Sequence, residues 1–124
     1  DAEGPWSGIK ETRLADPGCN GSIIRYTDVK DGYKKNRLLF SNASSVTGRR
    51  NLAVRISYDE GKTWSAGKVI EEGFSAYSSL SILKDGSIGI LYEPAQHKSV
   101  RFARFTLEDL TDGKDSLSKP YVIR

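Results

Sequence analysis

One cysteine, one histidine and no methionine are all that this 124-residue chain has of the sulfur and imidazole side chains that bind soft metals or carry redox chemistry. With Cys19 alone, no internal disulfide can close and no cluster of thiolates can hold a metal. His97 follows Pro94, Ala95 and Gln96 in a polar stretch, where a solvent-facing side chain is the expected state. No metal and no cofactor is therefore expected. Long apolar runs are missing too: none approaches the roughly 18 residues that a membrane span needs, and no secretory leader is legible. Excess charge is also small, at +3. The basic residues are scattered, and the doublets Lys34-Lys35 and Arg49-Arg50 read as solvated surface. Without a basic stripe interleaved with aromatics, no nucleic-acid partner is expected.

What the chain does have is a succession of short β-like segments. With 37% apolar and 28% charged residues it is globular in composition. Strands are predicted over 21–26, 37–42, 51–58, 68–70, 75–83, 87–92 and 100–107, separated by turn residues such as Asp31-Gly32 and Asp85-Gly86. In 51–58 the alternation is clear: Leu52, Val54 and Ile56 face one side, Ala53, Arg55 and Ser57 the other. A brief turn near 107–110 is the only helical signal. Many short strands at regular spacing predict an all-β protein: a sandwich, a barrel or a propeller.

Internal repetition favours the propeller. The N-terminal DAEGPWSGIKE shares an Asp, a Gly, a Trp and a following Ser with DEGKTWSAGKV, as a degenerate copy at 1–6 of the motif that ends at Trp64. The first four predicted strands make one sheet and the next three most of another. Residues 7–12 look like the last strand of an earlier sheet. Two blades cannot close a ring of roughly four to eight, so the chain is expected to be part of a larger protein: blades over 1–110, and a tail over 111–124 that completes or flanks them.

The motif itself, SYDEGKTW, has a hydroxyl, a carboxylate, a glycine, a second hydroxyl and an indole at Ser57, Asp59, Gly61, Thr63 and Trp64. Asp accepts hydrogen bonds from nearby backbone amides and Gly takes positive φ. The two hydroxyls can bridge the strand ends, and the indole can cap the hairpin with a large apolar face. The motif is expected to be a self-satisfied turn at the outer edge of a blade. Its spacing matches the Asp-box, or BNR repeat, which unrelated propellers share.

Three residues could carry chemistry. Arg55 precedes the motif on the face opposite Leu52, Val54 and Ile56; it is either a surface or inter-blade arginine, or a fixed guanidinium for a carboxylate. Tyr77, in FSAYSSL, is either a strand tyrosine or a phenol in a cleft. A phenol ordinarily titrates near about 10 and needs a base and positive neighbours to act as a nucleophile. Glu93, in LYEP, is either a strand-end acid or the partner that holds an arginine in place.

Taken in order, GCNGSIIRY, RLLFSNA, VRISYDEGKTW, FSAYSSL, ILYEP and VRFARFTL resemble the C-terminal part of the bacterial exo-α-sialidase (neuraminidase) family, from residue 1 to about 110. The resemblance implies a six-bladed β-propeller, of which this chain covers roughly the last two blades. It implies a retaining hydrolase of terminal sialic acids on glycoconjugates, in a secreted, periplasmic or cell-surface parent protein. It also implies Arg55 as the third of three arginines on the substrate carboxylate, Tyr77 as nucleophile, and Glu93 as the group that orients the first arginine. The other two arginines, the glutamate base and the aspartate acid/base match no position here. The chain alone is expected to be inactive and to need the N-terminal part of the propeller as partner. A trans-sialidase would share these residues. A non-catalytic Asp-box propeller that binds glycans or proteins would need neither Arg55 nor Tyr77.

Overall fold

The computed structural model describes residue 4 and residues 13–95 and 99–123. The degenerate repeat at 1–6, the strand predicted at 7–12 and His97 lie outside the described residues, except Gly4. Strands β1 (Ser22–Thr27), β2 (Arg37–Ala43), β3 (Arg50–Ser57) and β4 (Lys68–Phe74) form an antiparallel sheet in chain order. Strands β5 (Ser78–Ile82), β6 (Ile88–Tyr92) and β7 (Arg101–Phe105) form a second. A short helix α1 (Leu107–Leu110) follows. All seven strands predicted within the described residues are present, in an all-β architecture.

Alternation explains which residues meet. Leu39 pairs with Ile56, Ser41 with Val54 and Ala43 with Leu52, so β2 and β3 present one apolar face. In the second sheet Leu80 pairs with Ile90, and Ile90 with Ala103. These faces meet in one core: Tyr26, Leu39, Leu52, Val54 and Ile56 against Leu80, Ile88, Ile90 and Tyr92, closed by Leu107 and Leu110 of α1. Each such side chain contributes about 1.5–3 kcal/mol on leaving water. At the seam between the sheets Ser41 Oγ lies 2.9 Å from Ser78 Oγ, and Leu80 N–H donates to Ser22 Oγ at 3.0 Å.

The three largest departures from the expected boundaries each have a local reason. β4 runs to Phe74 instead of residue 70, because as the last strand of its sheet it tolerates the polar Glu71 and Glu72. β5 begins at Ser78 instead of 75, because the amides of 75 and 76 are taken elsewhere: Ser75 N–H donates to Arg49 O and Ala76 N–H to Glu93 O, both at 3.0 Å. β7 ends at Phe105, because Thr106 caps α1 in a reciprocal box with Asp109.

The Asp-box closes around one carboxylate. Asp59 Oδ1 accepts from Ser57 Oγ and Thr63 N–H, both at 2.8 Å, and Oδ2 accepts from Thr63 Oγ1 at 2.6 Å. Ser57 Oγ in turn accepts from Gly61 N–H at 2.9 Å. The two hydroxyls thus meet through Asp59. The Thr63 hydrogen bonds hold this carboxyl at about 2. Gly61 takes φ 82°, and Trp64 packs on Phe40 with ring centroids 5.6 Å apart.

The residues after α1 cross both sheets. Arg37, 1% exposed, donates from Nε and Nη2 to the two oxygens of Asp115, at 2.8 Å each. Tyr58 Oη donates to Asp115 Oδ2 at 2.7 Å. Tyr121 stacks on Tyr26, whose hydroxyl donates to Gly86 O at 2.6 Å in the β5–β6 turn.

Candidate active site

Arg49, Tyr77 and Glu93 come together at one end of the seam. Tyr77 precedes β5, and Glu93 follows β6. The β5–β6 register sets Ser78 opposite Tyr92, and one step further Glu93 N–H donates to Tyr77 O at 3.2 Å. Residues directly opposite on neighbouring strands point to the same face, so the phenol and the carboxylate share one side. The Tyr77 ring is 45% exposed, and Glu93 is half-buried.

The cation at this phenol is Arg49, whose guanidinium carbon lies 5.6 Å from the Tyr77 ring centroid. Its Nη2 donates to Gly18 O at 3.0 Å, and its carbonyl holds Ser75 N–H. The guanidinium and the phenol are therefore tied through both side chain and backbone. Cys19 lies alongside, with Sγ 3.7 Å from Ala76 O. Burial pushes its thiol up; Arg49 opposes this, while Asp16 and Glu93 add to it.

Arg55 sits elsewhere. It pairs with Phe40 on the sheet face turned away from the core, and its Nη1 lies 3.4 Å from Asn42 Oδ1. Its stem packs on Gly67, where an added Cβ would come within 2.9 Å of Arg55 Cγ. Burial lowers the proton affinity of this guanidinium. Arg55 follows Arg49 by six residues, at most about 20 Å of extended strand. The structure brings Tyr77 and Glu93 together, and the arginine in contact with Tyr77 is Arg49.

Sequence reasoning passed over Arg49 as half of a solvated doublet. A signal was available: Arg49 stands at the start of β3, the end of the sheet from which the chain passes through Ser75 to Tyr77, whereas Arg55 stands near the Asp-box end. Beside Arg49 opens a cavity of about 530 Å³, lined by Thr47, Gly48, Arg49, Arg50 and Phe74. Next in sequence to Phe74, Ser75 Oγ is buried with no hydrogen-bond partner, alone in this among the side-chain polar atoms of the described residues. No described group of His, Cys, Asp and Glu has the arrangement of a metal site.

No family model matches the chain. It is 45% identical over 96 residues to a sialidase of Micromonospora viridifaciens, covering 76% of this chain and 14% of that protein. It is 37% identical over 93 residues to a sialidase of Bacteroides fragilis (strain YCH46), covering 71% and 17%. The solved structure of the Hadza microbial sialidase Hz136 superposes with a TM-score of 0.70 at 29% identity, over 86% of this chain and 21% of that one. The chain thus spans less than a fifth of the length of these two curated relatives. With its two antiparallel sheets forming part of a sialidase-type propeller, the chain belongs to the sialidase family.

Proposed function

We propose that this chain supplies the nucleophile and one carboxylate-binding arginine to a retaining exo-α-sialidase that hydrolyses terminal sialic acids on glycoconjugates. The observation that carries the proposal is the Arg49 guanidinium over the Tyr77 ring, with Glu93 directly across the strand pair. Sialic acid carries its carboxylate on the anomeric carbon. An anionic nucleophile approaching that carbon would be repelled, whereas a neutral phenol is not until its proton leaves; sialidases are the tyrosine exception among glycosidases. In the glycosylation step the Tyr77 oxygen bonds to the anomeric carbon, its proton passes to a base, and the glycosidic C–O bond breaks as the leaving oxygen is protonated. Water then releases the sugar. Arginine stays charged throughout and presents a planar fork to the carboxylate. Arg49, over the Tyr77 ring, also favours the negative charge that builds on the phenol.

The proposal gives the substrate carboxylate to Arg49. Arg55, to which the family resemblance assigns that role, is instead an inter-blade side chain. Glu93 holds an arginine contributed by the rest of the protein. The base, the acid and the remaining arginines also come from outside this chain, so the isolated chain is inactive. Exposed apolar residues on the two outer sheet faces support such a partner: Ile23 and Val69 on the first sheet, Leu91 and Phe102 on the second. They fit a position between other blades of the same propeller. Among the described residues no helix is long and apolar enough to cross a membrane. The substrate class places the parent protein where sialoglycans are, outside the cytoplasm.

The test is kinetic, in the full parent protein with a fluorogenic sialoside. Tyr77→Phe is expected to reduce turnover by orders of magnitude. Arg49→Gln removes a charge-assisted contact of roughly 1.5–3 kcal/mol, or about 10- to 150-fold in kcat/KM. Arg55→Gln is expected to have a smaller effect. If Arg55→Gln has the larger effect, the carboxylate belongs to Arg55. If Tyr77→Phe binds sialoglycans as the parent does and neither hydrolyses them, the protein is a glycan-binding propeller.

A further inference from the structure

We infer that the cavity beside Arg49 is the leaving-group subsite, and that Arg50 makes it select aglycones bearing a carboxylate, a second sialic acid above all. The inference rests on the reading of Tyr77 as nucleophile and Arg49 as carboxylate ligand. The carboxylate and the leaving oxygen share the anomeric carbon, so the guanidinium that binds one also borders the other. Arg49 lies over the Tyr77 ring and also lines the cavity. At about 530 Å³ the cavity lies within the usual range of small-ligand pockets, about 300–1,000 Å³.

Its chemistry is that of a site for an acidic sugar. Two arginines, a threonine, a glycine and a phenylalanine line it, and no acidic residue does. Adjacent strand residues normally point to opposite faces. Here Arg49 precedes β3 and only Arg50 belongs to the strand, and both border one space. Arg25, Arg37, Arg101 and Arg104 each pair with an acid, Glu60, Asp115, Glu71 and Asp85 respectively. Arg50 has no acidic partner among the described residues. It is exposed and extends the positive wall one residue outward from Arg49. Phe74, its cross-strand partner, offers an apolar face to the sugar ring.

The test uses the full parent protein and two substrates: a disialoside, in which the leaving group is itself a sialic acid, and sialyllactose, whose leaving group is neutral. The kcat/KM ratio, disialoside over sialyllactose, is the readout. It is expected to exceed one, to fall about tenfold in Arg50→Gln, to recover in part in Arg50→Lys, and to decline with added salt as charge pairing is screened. A ratio unchanged by Arg50→Gln, a parallel loss on both substrates, or an initial preference for sialyllactose would each overturn the inference while leaving the proposed activity standing. Absence of turnover on both substrates would remove that activity, and this inference with it.

Discussion

Replacing Asp115 by Asn tests whether the C-terminal residues act as a structural clasp. Asp115 is 7% exposed, and its oxygens receive two bonds from Arg37, one from Tyr58 and one from Ser116 N–H. Asn keeps the shape but removes the charge, and its amide nitrogen turns a donor toward Arg37 or Tyr58. Arg37 cannot shed its proton and stays buried. Removing one partner of a buried ion pair costs about 3–5 kcal/mol, and urea unfolding at pH 7 is expected to show a loss of that size.

The pH dependence is a second, independent signature. Burial alone would raise the Asp115 carboxyl, but the Arg37 and Tyr58 hydrogen bonds outweigh it and bring the pKa to about 2. A carboxyl depressed in the folded state contributes stability at pH values above its unfolded pKa of about 4 and loses it as pH falls toward 2. With roughly 1.4 kcal/mol per pKa unit, about 2–3 kcal/mol of acid-side slope should vanish in Asp115→Asn. A loss below about 1 kcal/mol at pH 7, with the acid slope unchanged, would refute the clasp.

Two further predictions concern turns. Asp59→Asn takes one acceptor from Thr63, so the 57–64 hairpin should open more often, and tryptic cleavage after Lys62 should accelerate relative to the parent. In the parent the same acceleration should appear as pH falls from about 4 toward 2, read with an acid-active protease; an unchanged rate in both would show that the carboxylate does not hold the turn. Gly86→Ala places a Cβ 2.7 Å from Tyr121 Cβ at φ 82°. It should cost about 1–3 kcal/mol, and should cost less once Tyr121 is also Gly, which removes that Cβ; equal cost in both backgrounds would place the strain in the backbone alone.

Alternation and turn chemistry were enough to find every strand of the described residues, because each has one face on a continuous core. Leu52, Val54 and Ile56 are all buried as their spacing required. The Asp-box was legible because all of its bonds are local. The tail was not, because single long-range contacts fix it: Asp115 and Arg37 lie 78 residues apart, and no periodic pattern leads from one to the other. Arg49 was missed for a related reason. As part of a basic doublet it resembles solvated surface, and only the fold carries its carbonyl to Ser75 and its side chain to Tyr77. Tyr77 and Glu93 were picked out through the family resemblance, and the strand pairing explains their closeness.

The phenol and its cation are mounted on different sheets, Arg49 where the first begins its third strand and Tyr77 where the second starts. Their separation is thus governed by the hinge line where Ser41 meets Ser78 and Ser22 meets Leu80. A methyl group added along that line would shift the guanidinium against the aromatic ring while touching neither of them.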